Sequence, residues 1–279
     1  MIGRFSEDID LNLDRHDLGS TGDRDPASAM SKKARKALLD ELEQRAIEAI
    51  NGPFKAALSE AMSEALGEPV YLETSDDDPQ KLIFTYPASL PERAALPYVR
   101  SSVRPEFGAR SDHLPADQRD IHPFVHEQYP DLLTEPRVSV KTLSAAQTFQ
   151  EKATILHMFA HRDAAGPLGE SMSRRYYDLA QIARSGTQPK ALRDLKLLET
   201  LALHKSAFFR AAWAGYETAR PPRLRLAPGP GLKGVLRSDY PQMAEMLFDT
   251  PEPFDGIVET IAALEAEINS IAAPANNAV

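Results

Sequence analysis

Near the start of the chain, Asp8 and Asp10 are the residues whose type and spacing most directly imply chemistry. They lie in Arg4-Phe5-Ser6-Glu7-Asp8-Ile9-Asp10-Leu11-Asn12-Leu13-Asp14, where apolar Ile9, Leu11 and Leu13 alternate with polar Asp8, Asp10 and Asn12. This is the period of a half-buried strand, and residues two apart on a strand project from the same face. Adjacent carboxylates repel each other and are costly to hold together without a cation between them. An all-oxygen pair suits Mg²⁺, which takes one or two carboxylates plus substrate phosphates. A solvated edge strand with acidic outer positions produces the same pattern, so the pair alone leaves both readings open.

A third carboxylate is available from the extended segment Tyr98 to Arg110, in which Arg100, Ser102, Arg104 and Glu106 share one face and Val99, Val103 and Phe107 the other. Pro105 cannot donate to a ladder, so the segment is expected at a sheet edge or strand end. Glu106 would join the Asp8/Asp10 face if the two strands are neighbours. Farther along, Lys152 sits mid-helix among apolar residues in Thr148 to His157, where it either snorkels to solvent or holds an anion such as a triphosphate. Asp178 follows Arg174-Arg175-Tyr176-Tyr177 and reads as an ion-pair partner or a site residue.

Other chemistries find little support. His157 and His161 are four apart on a helix, but Met158 stands where a metalloprotease helix needs Glu, which argues against zinc. There is no Gly-x-Ser-x-Gly elbow, no Walker A loop and no Gly-x-Gly-x-x-Gly. Absence of cysteine excludes disulfides and thiolate metal sites. No run of eighteen apolar residues is present, so no membrane span is expected, and with no signal-peptide pattern the expected location is cytoplasmic. The net charge of −9 argues against nucleic acid, yet its distribution does not: from Arg174 to Arg237 thirteen Lys/Arg face four Asp/Glu, a local +9. Such a segment is what a phosphate-backbone surface requires, and solvated helix faces would read the same way.

The elements that must position these residues follow from periodicity. A helix is expected from Ser31 (its N-cap) to Ile50, broken by Asn51-Gly52-Pro53, with a second from Pro53 to Leu66. Val70 to Thr74 and Leu82 to Tyr86 read as a hairpin around the acidic turn at 75–79, and Arg137 to Leu143 as a further strand. Beyond residue 144 the period is helical, with helices expected over Ser144 to His161, Gly169 to Arg184, Pro189 to Tyr216, Asp239 to Phe248 and Pro253 to Ile271. Ala219 to Gly234 reads as a Pro/Gly-rich loop. The class is α+β, with an α/β region over residues 1–144 and a helical region over residues 145–279.

Four motifs together carry a family resemblance: Arg-Phe-Ser-Glu-Asp-Ile-Asp-Leu at 4–11, Pro-Glu-Phe-Gly-Ala-Arg at 105–110, Thr-Phe-Gln-Glu-Lys-Ala-Thr-Ile-Leu-His at 148–157 and Ser-Arg-Arg-Tyr-Tyr-Asp-Leu at 173–179. In this order, spanning essentially the whole chain, they resemble the AbiEii family of bacterial type IV toxin–antitoxin systems, related to the MenT toxins. The resemblance implies a polymerase-β-like nucleotidyltransferase core followed by a helical C-terminal lobe. It places Mg²⁺ on Asp8 and Asp10, with Glu106 as a third metal carboxylate. Ser6 and Lys152 would lie on the nucleotide side, with Lys152 near the phosphates and Asp178 the further essential aspartate. It also implies an NTP donor, an RNA acceptor (tRNA for MenT-type members) and a cognate antitoxin protein.

The family precedes the Asp pair with a helix and a Gly-Gly-Ser/Thr loop that cradles phosphates, whereas only Met1-Ile2-Gly3 precede Arg4. The expectation is therefore a core truncated at its N-terminus. A second reading follows: a catalytically weak or inactive member that binds nucleotide, RNA or antitoxin. Gln150 is a smaller departure, standing where many members have Trp.

Overall fold

Strand β1 (Asp8–Asn12) pairs in parallel with β4 (Ser102–Gly108), which in turn pairs antiparallel with β3 (Leu82–Thr85), itself antiparallel to β2 (Glu73–Thr74). The four-stranded sheet thus has the order β1-β4-β3-β2 in a computed structural model that describes residues 2–6, 8–87, 101–112, 114–134, 136–162, 172–187 and 194–271. The segment expected from Tyr98 begins as strand at Ser102, and Tyr98, Val99 and Arg100 lie outside the described residues.

The position of Pro105 departs from expectation. Strand β4 is interior, and Pro105 stands opposite Ile9 of β1. Alternate residues of a strand turn their N–H groups toward the same neighbour, and Phe107 donates to Gln80 on the β3 side. Pro105 therefore faces that side too, between the ladder at Val103 and the isolated bridge Lys81↔Glu106. The proline occupies a gap in the second ladder, so an interior strand loses nothing by it.

One face of this sheet is apolar. Phe107 and Leu82 are buried with Val70, Leu72 and Ala109 against Leu42, Ala46 and Ile50, while Leu11 and Leu13 pack at the margin. Leu42, Ala46 and Ile50 recur at four-residue intervals along α1 (Lys32–Ala49) and its end, which is why this face meets the sheet. As expected, Ser31 caps α1 by accepting the Ala34 N–H at 3.1 Å. The chain bends at Gly52 before α2 (Lys55–Leu66) closes on Gly67, whose φ of +70° is the left-handed C-cap that glycine adopts freely.

A separate two-stranded ribbon joins β5 (Ala116–Ile121) and β6 (Val138–Leu143), with the short helix α3 (Phe124–Gln128) between them. Strand β6 is close to the expected one; β5 has no counterpart in the periodicity, because Ala-Asp-Gln-Arg-Asp-Ile is almost wholly solvent-facing on both sides.

The helices that follow are α4 (Ala145–Ala160), α5 (Ser173–Ile182), α6 (Leu195–Phe208), α7 (Pro230–Met243) and α8 (Phe254–Ser270). The expected starts of α5 at Gly169 and α6 at Pro189 lie outside the described residues, and α6 stops eight residues before Tyr216. Helix α7 corrects a larger reading: it opens at Pro230, inside the stretch whose composition suggests a loop. Proline at the first helical position forgoes an N–H that has no partner there and presets φ. From that start Leu232, Leu236, Tyr240 and Met243 fall on one buried face. These side chains join Phe149, Leu156, Tyr176, Leu179, Leu198, Ile257 and Ile261 in a second apolar core, distinct from that beneath the sheet. Among the described residues no helix is long and apolar enough to cross a membrane.

His157 belongs to this core, not to a metal site. Its Nδ1 accepts the Arg225 N–H at 2.9 Å, so Nε2 carries the proton and donates to the Gly215 carbonyl at 2.9 Å and Thr218 Oγ1 at 3.2 Å. Burial pushes the imidazole below its ordinary 6.5, against the raising effect of the bond to Gly215. The folded protein thus binds this proton more weakly than the unfolded chain does, so the stability it contributes is complete above that value and falls as pH drops through it. Urea unfolding from about pH 7.5 down to about 5.5 should show a declining midpoint. His157→Leu should reduce that slope while costing about 1–3 kcal/mol at the upper end; His204, lowered by burial in the same way, acts in the same direction. A pH-independent midpoint would contradict this assignment.

Candidate active site

The β1–β4 register sets Asp10 beside Glu106 and Asp8 beside Arg104 on the face away from the sheet's apolar core. Oxygen atoms of Asp8, Asp10 and Glu106 all lie within 4.8 Å of one another, and they form the metal-capable group among the described residues. Three hard carboxylate donors converging from two adjacent strands fit a divalent cation of the Mg²⁺ type. Each of the outer two carboxylates also has a protein cation nearby. Lys81 Nζ is 3.0 Å from Glu106 Oε1, and Arg174 Nη2 is 3.9 Å from Asp8 Oδ2. Ser6 Oγ donates to Asp8 Oδ1 at 2.7 Å. Burial works to raise the Asp8 carboxyl, but the Ser6 hydrogen bond and the charges of Arg174 and Arg4 outweigh it and hold the group below its ordinary range.

Asp178 and Lys152 meet from two helices of the other core. Lys152 Nζ on α4 lies 2.9 Å from Asp178 Oδ2 on α5. The guanidinium of Arg4 grips the same carboxylate with both branches, Nε to Oδ1 at 2.7 Å and Nη2 to Oδ2 at 2.9 Å. Fork-on-fork geometry of this kind is the strong form of an ion pair. Asp178 is only 2% exposed, so burial pushes its carboxyl up; the Arg4 hydrogen bond first, then the charges of Lys152 and Arg4, bring it below the ordinary carboxylate range. Arg174 and Asp178 are one helical turn apart on α5, so a single face of that helix touches Asp8 through the first and Arg4 and Lys152 through the second.

The chain's opening segment is also clamped to the stretch that follows α7. Phe5 donates to the Met246 carbonyl at 2.8 Å and Phe248 to the Gly3 carbonyl at 3.1 Å, with Arg4 bridging Leu247 in antiparallel fashion. Gly3 has φ +71°, a left-handed conformation that glycine adopts without strain. This clamp carries Arg4 onto Asp178 and delivers the chain into β1.

The structure thus brings all six sequence-selected residues into two adjoining sets: Asp8, Asp10 and Glu106 with Ser6, and Lys152 with Asp178. The two sets are linked by Arg4 and Arg174. Set against known families, the sequence matches over residues 1–260 the one described as nucleotidyl transferase AbiEii toxin, type IV TA system. The chain belongs to this family. Comparison with curated proteins and with solved structures returns no match. As an AbiEii family member the chain is associated with nucleotidyl transfer, a nucleotide substrate and a cognate antitoxin.

Residue-by-residue reading of this AbiEii chain misses the cations that balance the site. Arg4 stands four residues before Asp8 and Arg174 four before Asp178, a helical spacing that marks the second but gives no hint of the first. Lys81 is invisible without the strand pairing that brings it to Glu106. Arg175 is a further member: burial opposes its charge, as does Arg174, whereas Asp178, Asp10 and Asp8 favour it.

Removing one partner of a buried ion pair leaves uncompensated charge and costs roughly 3–5 kcal/mol. Arg4 and Lys152 retain some access to water, with side chains 10% and 24% exposed. Asp178→Ala should therefore destabilise the chain by an amount at the lower end of that range, read from urea unfolding at neutral pH, and Arg4→Ala should cost less. A loss below about 1 kcal/mol for Asp178→Ala would show that the pairing is not structural.

Proposed function

We propose that the protein transfers a nucleotide from an NTP to an RNA acceptor, tRNA being the acceptor expected, in a Mg²⁺-dependent reaction in the cytoplasm. The observation that carries this reading is the convergence of Asp8, Asp10 and Glu106 within 4.8 Å, with Arg174 at Asp8 and, on the same helix, Asp178 holding Lys152 and Arg4. Asp8, Asp10 and Glu106 would hold the metal. When bound, a divalent cation neutralises polyphosphate charge and polarises the oxygens at the reacting phosphorus. Lys152 and Arg174 would receive the triphosphate, with Ser6 orienting Asp8 through its hydroxyl. Asp178, held by two cations, fits the role of orienting Lys152 rather than taking a proton.

The same reading takes residues 1–144 as the nucleotidyltransferase core, of the polymerase-β-like kind, and 145–279 as a helical lobe. The two separate apolar cores support that division. One observation favours a second reading, in which the protein binds nucleotide, RNA or antitoxin without transfer. Lys81 and Arg174 already neutralise Glu106 and Asp8, so a cation entering the site must displace or share with them.

Incubating the full chain with each radiolabelled NTP, Mg²⁺ and total tRNA separates the readings. Transfer predicts label in RNA, abolished by EDTA and reduced about a hundredfold or more by Asp10→Ala, the loss that several kcal/mol of metal-derived stabilisation implies. No label with any NTP from a sample that unfolds cooperatively would reject transfer and leave the binding reading.

A further inference from the structure

Two aromatic rings stand open on the segment that follows α6. Phe209 is 38% and Trp213 45% exposed, although Phe208 and Ala214 beside them are buried. Each ring already carries a cation. Lys205 Nζ lies 5.2 Å from the Phe209 centroid, and the Arg162 guanidinium lies 5.7 Å from that of Trp213. Arg210, between the two in sequence, is exposed.

This segment is a fixed mount and not a loose loop. Gly215 takes φ +63°, and a Cβ there would come within 3.0 Å of the His161 ring. Tyr216 is buried, with its hydroxyl 3.2 Å from Met158 Sδ. The His157 bond to the Gly215 carbonyl holds the same turn. The helix that leads into it is anchored to the end of the sheet: His204 Nε2, one turn before the end of α6, lies 2.7 Å from the Arg110 carbonyl, just past β4.

We propose that Phe209 and Trp213, flanked by Arg162, Lys205 and Arg210, form a stacking platform for the unpaired 3′-terminal bases of the RNA acceptor. The proposal rests on the acceptor reading given above and names the surface that would deliver the acceptor to the site. Bases stack on aromatic side chains with little sequence preference, and the exposed Arg210 beside the rings attracts the phosphates between them. Arg162 over Trp213 and the exposed Arg210 make the surround of the rings cationic, to which a polyanion is the complementary occupant. An unpaired end is required because duplex bases have no free faces. The base of the donor NTP has the same stacking chemistry, and the experiment must distinguish it.

Trp213 is the chain's single tryptophan, so its emission reports directly on the platform. Titrating the full chain with a mixed-sequence single-stranded RNA of about twelve nucleotides should quench that emission saturably, and less so as salt rises. ATP alone and a blunt RNA duplex should leave it nearly unchanged. In anisotropy measurements with the labelled RNA, Phe209→Leu and Trp213→Leu should each weaken binding about tenfold. Both replace exposed rings, and an unchanged urea midpoint confirms that the fold is retained. The proposal is overturned if single-stranded RNA leaves the emission unaltered, if ATP or duplex quenches as fully, or if both folded variants bind RNA like the parent. Its failure is separable from that of transfer. Label lost in Asp10→Ala but retained in Trp213→Leu would remove the platform alone, whereas RNA quenching without any labelling would remove transfer alone.

Discussion

Asp178 is almost sealed from water, and the two cations that neutralise it come from distant parts of the chain. Arg4 belongs to the segment leading into the first strand, and Lys152 to a helix more than a hundred residues later. A buried carboxylate without a cation is strongly unfavourable, so the contact is enforced by its own chemistry. It holds the opening segment against the helices, and the backbone pairing of residues 3–5 with 246–248 follows the same line. The position of Asp8 and Asp10 therefore depends on a carboxylate that does not belong to their cluster.

Around the cluster, repulsion and attraction are balanced with protein groups alone. Three carboxylates in mutual proximity disfavour one another's charge, and Lys81, Arg174 and the Ser6 hydroxyl offset part of that. The same cations would attract a triphosphate. Nucleotide arrival is then an exchange of partners within a set of charges already in place, which keeps reorganisation small.

Some of this was legible in the sequence. The alternation around Asp8 and Asp10 puts their side chains on one face, and that is the face they occupy. Glu106 could be assigned a face but not a neighbour, because strand pairing between residues about ninety-five apart leaves no local trace. Helices announced themselves where apolar spacing was regular, as in α1, α4 and α8. They were misplaced where composition spoke against them: Gly229-Pro230-Gly231 reads as loop, yet Pro230 opens α7. Strand β5 left no signal because neither face is buried, and pattern reading depends on burial. Pro105 misled for the opposite reason, since its cost vanishes where the neighbouring ladder has a gap. The balancing cations were the least readable, because long basic side chains find their partners through tertiary approach.

Phe208 closes the last turn of α6, yet its ring is buried in the core beneath the sheet. His204 stacks flat against it at 4.3 Å and the Arg15 guanidinium lies 5.1 Å over it, so groups from both halves of the chain surround one ring. Helix α6 thus contributes to both cores, Leu198 and Ala202 to one and Phe208 to the other, and withdrawing it would expose apolar surface in each. The seam that carries the carboxylates is also the place where neither half is complete by itself.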